Sequence, residues 1–117
     1  LRSLLKPPQN VEWNDRRTRK IEFPIAGWQY YQGDSIVTSL RKGSKVYLVQ
    51  EPGNEFDSNA VGIFFENNVK LGYVPWHLAQ DLSYRLAIGS VLETFISMIQ
   101  PAAPVYNRAI IHCRFTI

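Results

Sequence analysis

The chain is 117 residues long, with 45% hydrophobic and 20% charged residues and a formal net charge of +3. That length leaves room for one hydrophobic core rather than two, and the composition excludes wholesale disorder. A sequence pI of 9.2 leans towards a polyanionic partner, although such a lean gains meaning only from where the cations stand.

Leu1 is not a methionine, so the true N-terminus is expected upstream. Leu1–Gln9 is broken by Lys6-Pro7-Pro8 and reads as an arm or linker. The arm is expected to run to residue 18, with one domain over 19–117. Arg16, Arg17, Arg19 and Lys20 put four cations in five positions. Ile21, Phe23 and Ile25 then alternate with Glu22 and Pro24, which predicts a strand that Pro24 confines to an edge or a bulge. Trp28-Gln29-Tyr30-Tyr31-Gln32-Gly33 predicts an aromatic loop closed by glycine, with Trp28 and Tyr31 in the core. Asp34 and Ser35 are placed to cap a short helix over Ile36–Lys42, which Gly43 ends.

A strand is predicted over Val46–Val49, a turn over Glu51–Ser58 and a strand over Ala60–Phe65. Asn67-Asn68 turns the chain back into Leu71, Tyr73 and Val74. Pro75 suits the first position of a second helix, with Leu78, Ala79, Leu82 and Leu86 on one face and Gly89 as its stop. Val91–Ile99 and Ala109–Ile117 are the last two strands, joined by a loop at Pro101–Pro104. This order predicts a mainly β fold, a small partly open barrel with two short helices.

The same residues argue against catalysis. The single cysteine, Cys113, allows no intrachain disulfide, and its apolar surroundings predict a buried structural thiol compatible with cytoplasmic, reducing conditions. His77 and His112 have no partner at ligand spacing, because His112 and Cys113 point to opposite faces of a strand. A nucleophile elbow, a phosphate loop and a dinucleotide fingerprint are all absent. The closest approach to an acidic site is Glu51, Glu55 and Asp57 in one turn, which leaves a magnesium-dependent nuclease as one reading. Otherwise no cofactor and no metal is expected. No stretch approaches the roughly 18 apolar residues of a membrane span.

Three segments look unlike scaffold: Gly27–Gly33, Glu51–Val61 and Leu71–Pro75. The first carries Tyr30-Tyr31-Gln32-Gly33, and the second runs from Pro52 through Asn54, Phe56, Asp57 and Asn59 to Ala60. At these residues the chain resembles the HIRAN family, over roughly Ile21–Thr116. The resemblance implies an OB-like barrel that recognises the 3′ end of single-stranded DNA. It implies a DNA-binding set of Gln29, Tyr30, Asn54, Phe56, Asp57, Tyr73 and Trp76. Tyr30 and Phe56 match the stacking aromatics, and Asp57 matches the carboxylate that reads the terminal hydroxyl. Three positions depart from the helicase-type pattern: Gln29 stands in place of arginine, Tyr73 in place of histidine and Trp76 in place of lysine.

Elementary chemistry fits that implication. Unpaired bases expose faces that aromatic rings cover at about 1–3 kcal/mol per base, without sequence preference. A carboxylate repels phosphate, so beside DNA it is useful where a free hydroxyl donates to it, at a chain end. The expected function is therefore an accessory, monomeric module that guides a helicase or nuclease partner to a single-stranded DNA end. The rival reading is a peptide- or protein-binding barrel, in which the same aromatics hold an apolar side chain. Two cation clusters, one at Arg16–Lys20 and one at Arg41, Lys42 and Lys45, are candidates to track a phosphate backbone.

Overall fold

The computed structural model describes residues 17–117. The expected arm therefore lies, but for its last two residues, outside the described residues, as does Arg16. Among the described residues, six strands and one α-helix follow in order: β1 Thr18–Pro24, β2 Tyr47–Gln50, β3 Val61–Phe65, β4 Val69–Tyr73, α1 Trp76–Ala87, β5 Val91–Ile99 and β6 Ala109–Thr116. They form two antiparallel three-stranded sheets, ordered β1-β6-β5 and β2-β3-β4.

The sheets are joined at two seams, each marked by one isolated bridge, and the second also carries backbone hydrogen bonds from Gly43 to Ile96, from Ile96 to Ser44 and from Val46 to Thr94. Ala26, just past β1, bridges to Tyr73 at the end of β4, and Lys45, just before β2, bridges to Phe95 in β5. The result is a partly open, OB-like barrel whose hydrogen bonding thins at the two seams. Proline at the end of β1 fits this arrangement, because among the described strands β1 lies at the edge of its sheet, beside β6.

β6 shows why the barrel holds together. Ala109, Ile111, Cys113 and Phe115 are buried and alternate with partly exposed Ile110, His112, Arg114 and Thr116, the period of two of a strand with one face in a core. Phe23, Ile25, Trp28, Val46, Val61, Ile63, Leu71, Leu82 and Ile96 complete that core. The Cys113 thiol is buried, and burial pushes it up to about 11. Outside the barrel, His112 stacks on Phe95 with ring centroids 4.4 Å apart. Both observations match the structural roles expected of these residues. Among the described residues, no helix is long and apolar enough to cross a membrane.

One expected element differs. In place of a capped helix over 36–42, a 3-10 segment runs over Gly33–Ser39, interrupted at Ile36. Asp34 does not cap it, because its carboxylate accepts from Trp28 Nε1 at 2.7 Å and from Arg108 at 3.0 Å. Ser35 Oγ instead donates to the Gln32 carbonyl. The apolar pair Ile36-Val37 is packed against the core by this short segment, and Arg41 and Lys42 fall beyond its end. The second helix forms as expected, with Pro75 one position earlier, as the residue preceding the first turn. Gly89 follows its end at φ +73°, the left-handed conformation that terminates helices.

Candidate nucleic-acid interface

The Ala26–Tyr73 seam is also the floor of a groove of about 400 Å³. Tyr31, Phe56, Asp57, Tyr73 and Trp76 stand around it, with Asn54 behind. Three parts of the chain deliver these side chains: the loop after β1, the turn between β2 and β3, and the junction of β4 with α1.

Gly72 makes the seam possible. It sits at φ +150°, and a β-carbon there would run into the Ala26 carbonyl, so the strands can close only around a residue without one. Tyr73 is thereby held against Ala26, with its ring edge-on to Tyr31 at 5.7 Å between centroids. On the other flank, Val74 and Pro75 are buried and start α1 so that Trp76 projects outward, 84% exposed.

The turn between β2 and β3 is built by its own side chains. Asn54 Oδ1 accepts from the backbone N–H groups of Phe56 and Asp57, at 2.9 and 3.1 Å. Asp57 Oδ1 accepts from the Asn59 N–H at 2.8 Å, and the Glu51 N–H closes the turn on the Ala60 carbonyl. Asn and Asp serve here because a short side-chain acceptor reaches a backbone donor two residues on. The turn leaves the Phe56 ring 92% exposed. It also leaves the second oxygen of Asp57 without a protein partner among the described residues.

Beneath the turn lies a half-buried polar network. Lys70 Nζ donates to Glu51 Oε2 at 2.8 Å and to the Tyr73 hydroxyl at 2.6 Å, while that hydroxyl donates to Glu51 Oε1 at 2.6 Å. Asn54 Nδ2 adds longer contacts to both. Burial opposes the charge on Glu51, but the hydrogen bonds from Lys70, Tyr73 and Asn54 outweigh it and hold its carboxyl below the ordinary 4.5. Burial likewise opposes the Lys70 charge, and its bonds to Glu51 and Tyr73 outweigh that, leaving its ammonium above the usual range. The Tyr73 hydroxyl is raised by burial first and by its bond to Glu51 second. This network answers the metal reading of the turn: Glu51 faces Lys70 and Tyr73, and no three acidic, histidine or cysteine groups converge on a metal-sized site among the described residues.

Of the seven residues expected to bind DNA, Asn54, Phe56, Asp57, Tyr73 and Trp76 come together in this groove. Gln29 and Tyr30 are exposed in the loop after β1, the latter 77% so, but they do not line it. The ring which that loop contributes is Tyr31, and its expected place in the core is corrected. Trp28 takes that place, with its ring packed over Gly33, and the extended backbone at Tyr31 turns the next ring out. Nothing in the sequence singles out Lys70. It reads as an ordinary polar residue of a hairpin strand, and its partner Glu51 is nineteen residues away. Among the described residues, no member of either basic cluster lines the groove. Lys20 stands six residues before Ala26, about 20 Å along an extended strand, and Lys45 marks the opposite seam.

Comparison with known proteins agrees with this architecture. The HIRAN domain family model matches residues 19–117. Among solved structures, a protein from Lactobacillus plantarum aligns with a TM-score of 0.66 at 19% identity, covering 84% of this chain and 98% of that one. The HIRAN domain of human HLTF aligns with a TM-score of 0.67, also at 19% identity, covering 86% of this chain and 79% of that one. Curated proteins give no significant match.

Proposed function

The chain belongs to the HIRAN domain family of DNA-binding modules, and from that premise we propose that it grips the free 3′-hydroxyl end of single-stranded DNA in the groove at the Ala26–Tyr73 seam. It acts without catalysis, as a monomeric accessory that delivers a DNA end to a helicase or nuclease partner in the cytoplasm. No cofactor enters the mechanism.

One observation carries this reading: a carboxylate oxygen of Asp57, with no protein partner among the described residues, shares a groove with the rings of Phe56, Trp76, Tyr31 and Tyr73. The terminal base stacks on the projecting rings, each such contact being worth about 1–3 kcal/mol. The terminal hydroxyl donates to the open oxygen of Asp57, a charge-assisted hydrogen bond. A 3′ phosphate would set a second negative charge against that carboxylate, and an internal nucleotide has no hydroxyl to donate. The Lys70 ammonium, already engaged by Glu51, offers little relief to such a phosphate.

The test is fluorescence anisotropy with one oligonucleotide ending in a 3′ hydroxyl or a 3′ phosphate. The hydroxyl end binds tighter, and Asp57→Asn reduces the preference while keeping an oxygen to cap the Asn59 N–H. Equal affinity for both ends in the unaltered protein would refute end reading. Loss of all binding in Asp57→Asn would assign Asp57 to the turn alone.

A further inference from the structure

A second aromatic surface adjoins the groove. On β2, β3 and β4 the register sets Tyr47 opposite Phe64 and Phe64 opposite Lys70, and residues directly opposite share one face of a sheet. That face is the outer one, because Ile63 and Leu71, the neighbours of Phe64 and Lys70 in sequence, are fully buried. The face carries the larger cavity of the two, about 480 Å³, bordered by Tyr47, Val49, Phe64 and Asn67 among others. Tyr47 is 48% exposed, and the exposed ammonium of Lys45 lies 5.5 Å from its ring centroid.

One side chain stands between a ring of each cavity, Phe64 of this one and Tyr31 of the groove. Lys70 Nζ stands 5.5 Å from the Phe64 ring and 5.1 Å from the Tyr31 ring. A line of rings therefore runs from Tyr73 and Tyr31 in the groove, past a single ammonium, to Phe64 and Tyr47.

We infer that this face is a second binding site, which takes the nucleotides lying 5′ of the terminal one when a single strand is held by its 3′ end. The inference rests on the end-reading function above. Continuity with the groove and the chemistry of the face identify the occupant. Unpaired bases stack on exposed rings irrespective of sequence, and the Lys45 ammonium over the Tyr47 ring, on its flexible stem, meets the phosphate of a strand laid across that ring. The groove then selects the end, and the sheet face adds affinity in proportion to the length of single strand behind it.

The experiment compares oligothymidylates of three and nine nucleotides, both with free 3′ hydroxyls and 5′ fluorescein, by anisotropy. The nonamer is expected to bind about fivefold tighter or more, the equivalent of at least one further stacked base. Tyr47→Ala abolishes that gain and leaves the trimer's affinity unchanged, while Tyr47→Phe, which keeps the ring, restores it. A nonamer that binds no tighter than the trimer overturns the second site and leaves end reading intact. So does a length gain unaltered by Tyr47→Ala, or an equal loss for both lengths. If neither oligonucleotide binds, both the second site and the end-reading function fall.

Discussion

The backbones of Ala26 and Tyr73 exchange two hydrogen bonds, N···O 2.8 and 2.9 Å, and through that pair the two sheets meet beneath the groove. Gly72 is the residue that allows it. Gly72→Ala drives a methyl into the Ala26 carbonyl at a backbone angle that L-residues avoid. The expected cost is about 3 kcal/mol or more, with a fall in Tm of about 10 °C or more by circular dichroism. An unchanged Tm would show that the seam closes without it.

Phe56 separates binding from stability. Its ring is almost wholly exposed, so Phe56→Ala should move the unfolding free energy by less than about 0.5 kcal/mol. The same change should weaken DNA affinity by about 1–3 kcal/mol, the loss of one stacked base. Urea denaturation and anisotropy on one preparation measure the two; a stability loss equal to the binding loss would refute the assignment.

The Glu51–Lys70–Tyr73 network gives stability a defined pH window. The folded-state Glu51 carboxyl lies below its ordinary 4.5, so its contribution is present above pH 4.5 and disappears as pH falls through the folded value. Lys70 and Tyr73 lie above their ordinary 10.5 and 10.0. Their contributions hold up to about those values and disappear as pH rises through the folded ones. Denaturant titrations across pH should therefore show a plateau with an acid and an alkaline limb. Glu51→Gln should lower the plateau and flatten the acid limb. An acid limb of undiminished steepness would locate it at the other lowered carboxyls, Asp34 and Glu93.

Cys113 should be inert while the barrel is folded. The thiolate is the reactive form, and burial both pushes this thiol up to about 11 and shields it. A disulfide-exchange reagent at pH 8 should label it only after denaturation with urea. Labelling of the native protein within seconds would place the thiol at the surface.

Much of the fold is legible because the period of the pattern is clean where one face is buried. β6 alternates, α1 carries Leu78, Ala79, Leu82 and Leu86 on one side, and Asn67-Asn68 takes the two positive φ values of the β3–β4 turn. The Asn54–Asn59 turn is equally readable, since its hydrogen bonds are local and follow from residue type. The segment after Gly33 is not. An Asp-Ser start and a Gly stop resemble a capped helix, yet Asp34 is claimed by Trp28 and by Arg108, and the second of those partners is seventy-four residues distant. The Tyr30-Tyr31 doublet likewise hides which ring faces the groove, because that depends on how Trp28 fills the space above Gly33. Lys70 is invisible for the same reason: its role is written in register, not in neighbours.

Phe56 is presented by a turn that Asn54, Asp57 and the Glu51–Ala60 closure already hold in shape. The entropy of ordering that turn is lost when the chain folds, not when a ligand arrives. A preorganised ring of this kind lets association proceed without a slow rearrangement. Differences in affinity among DNA ends should accordingly reside in how long each one stays, rather than in how fast it lands.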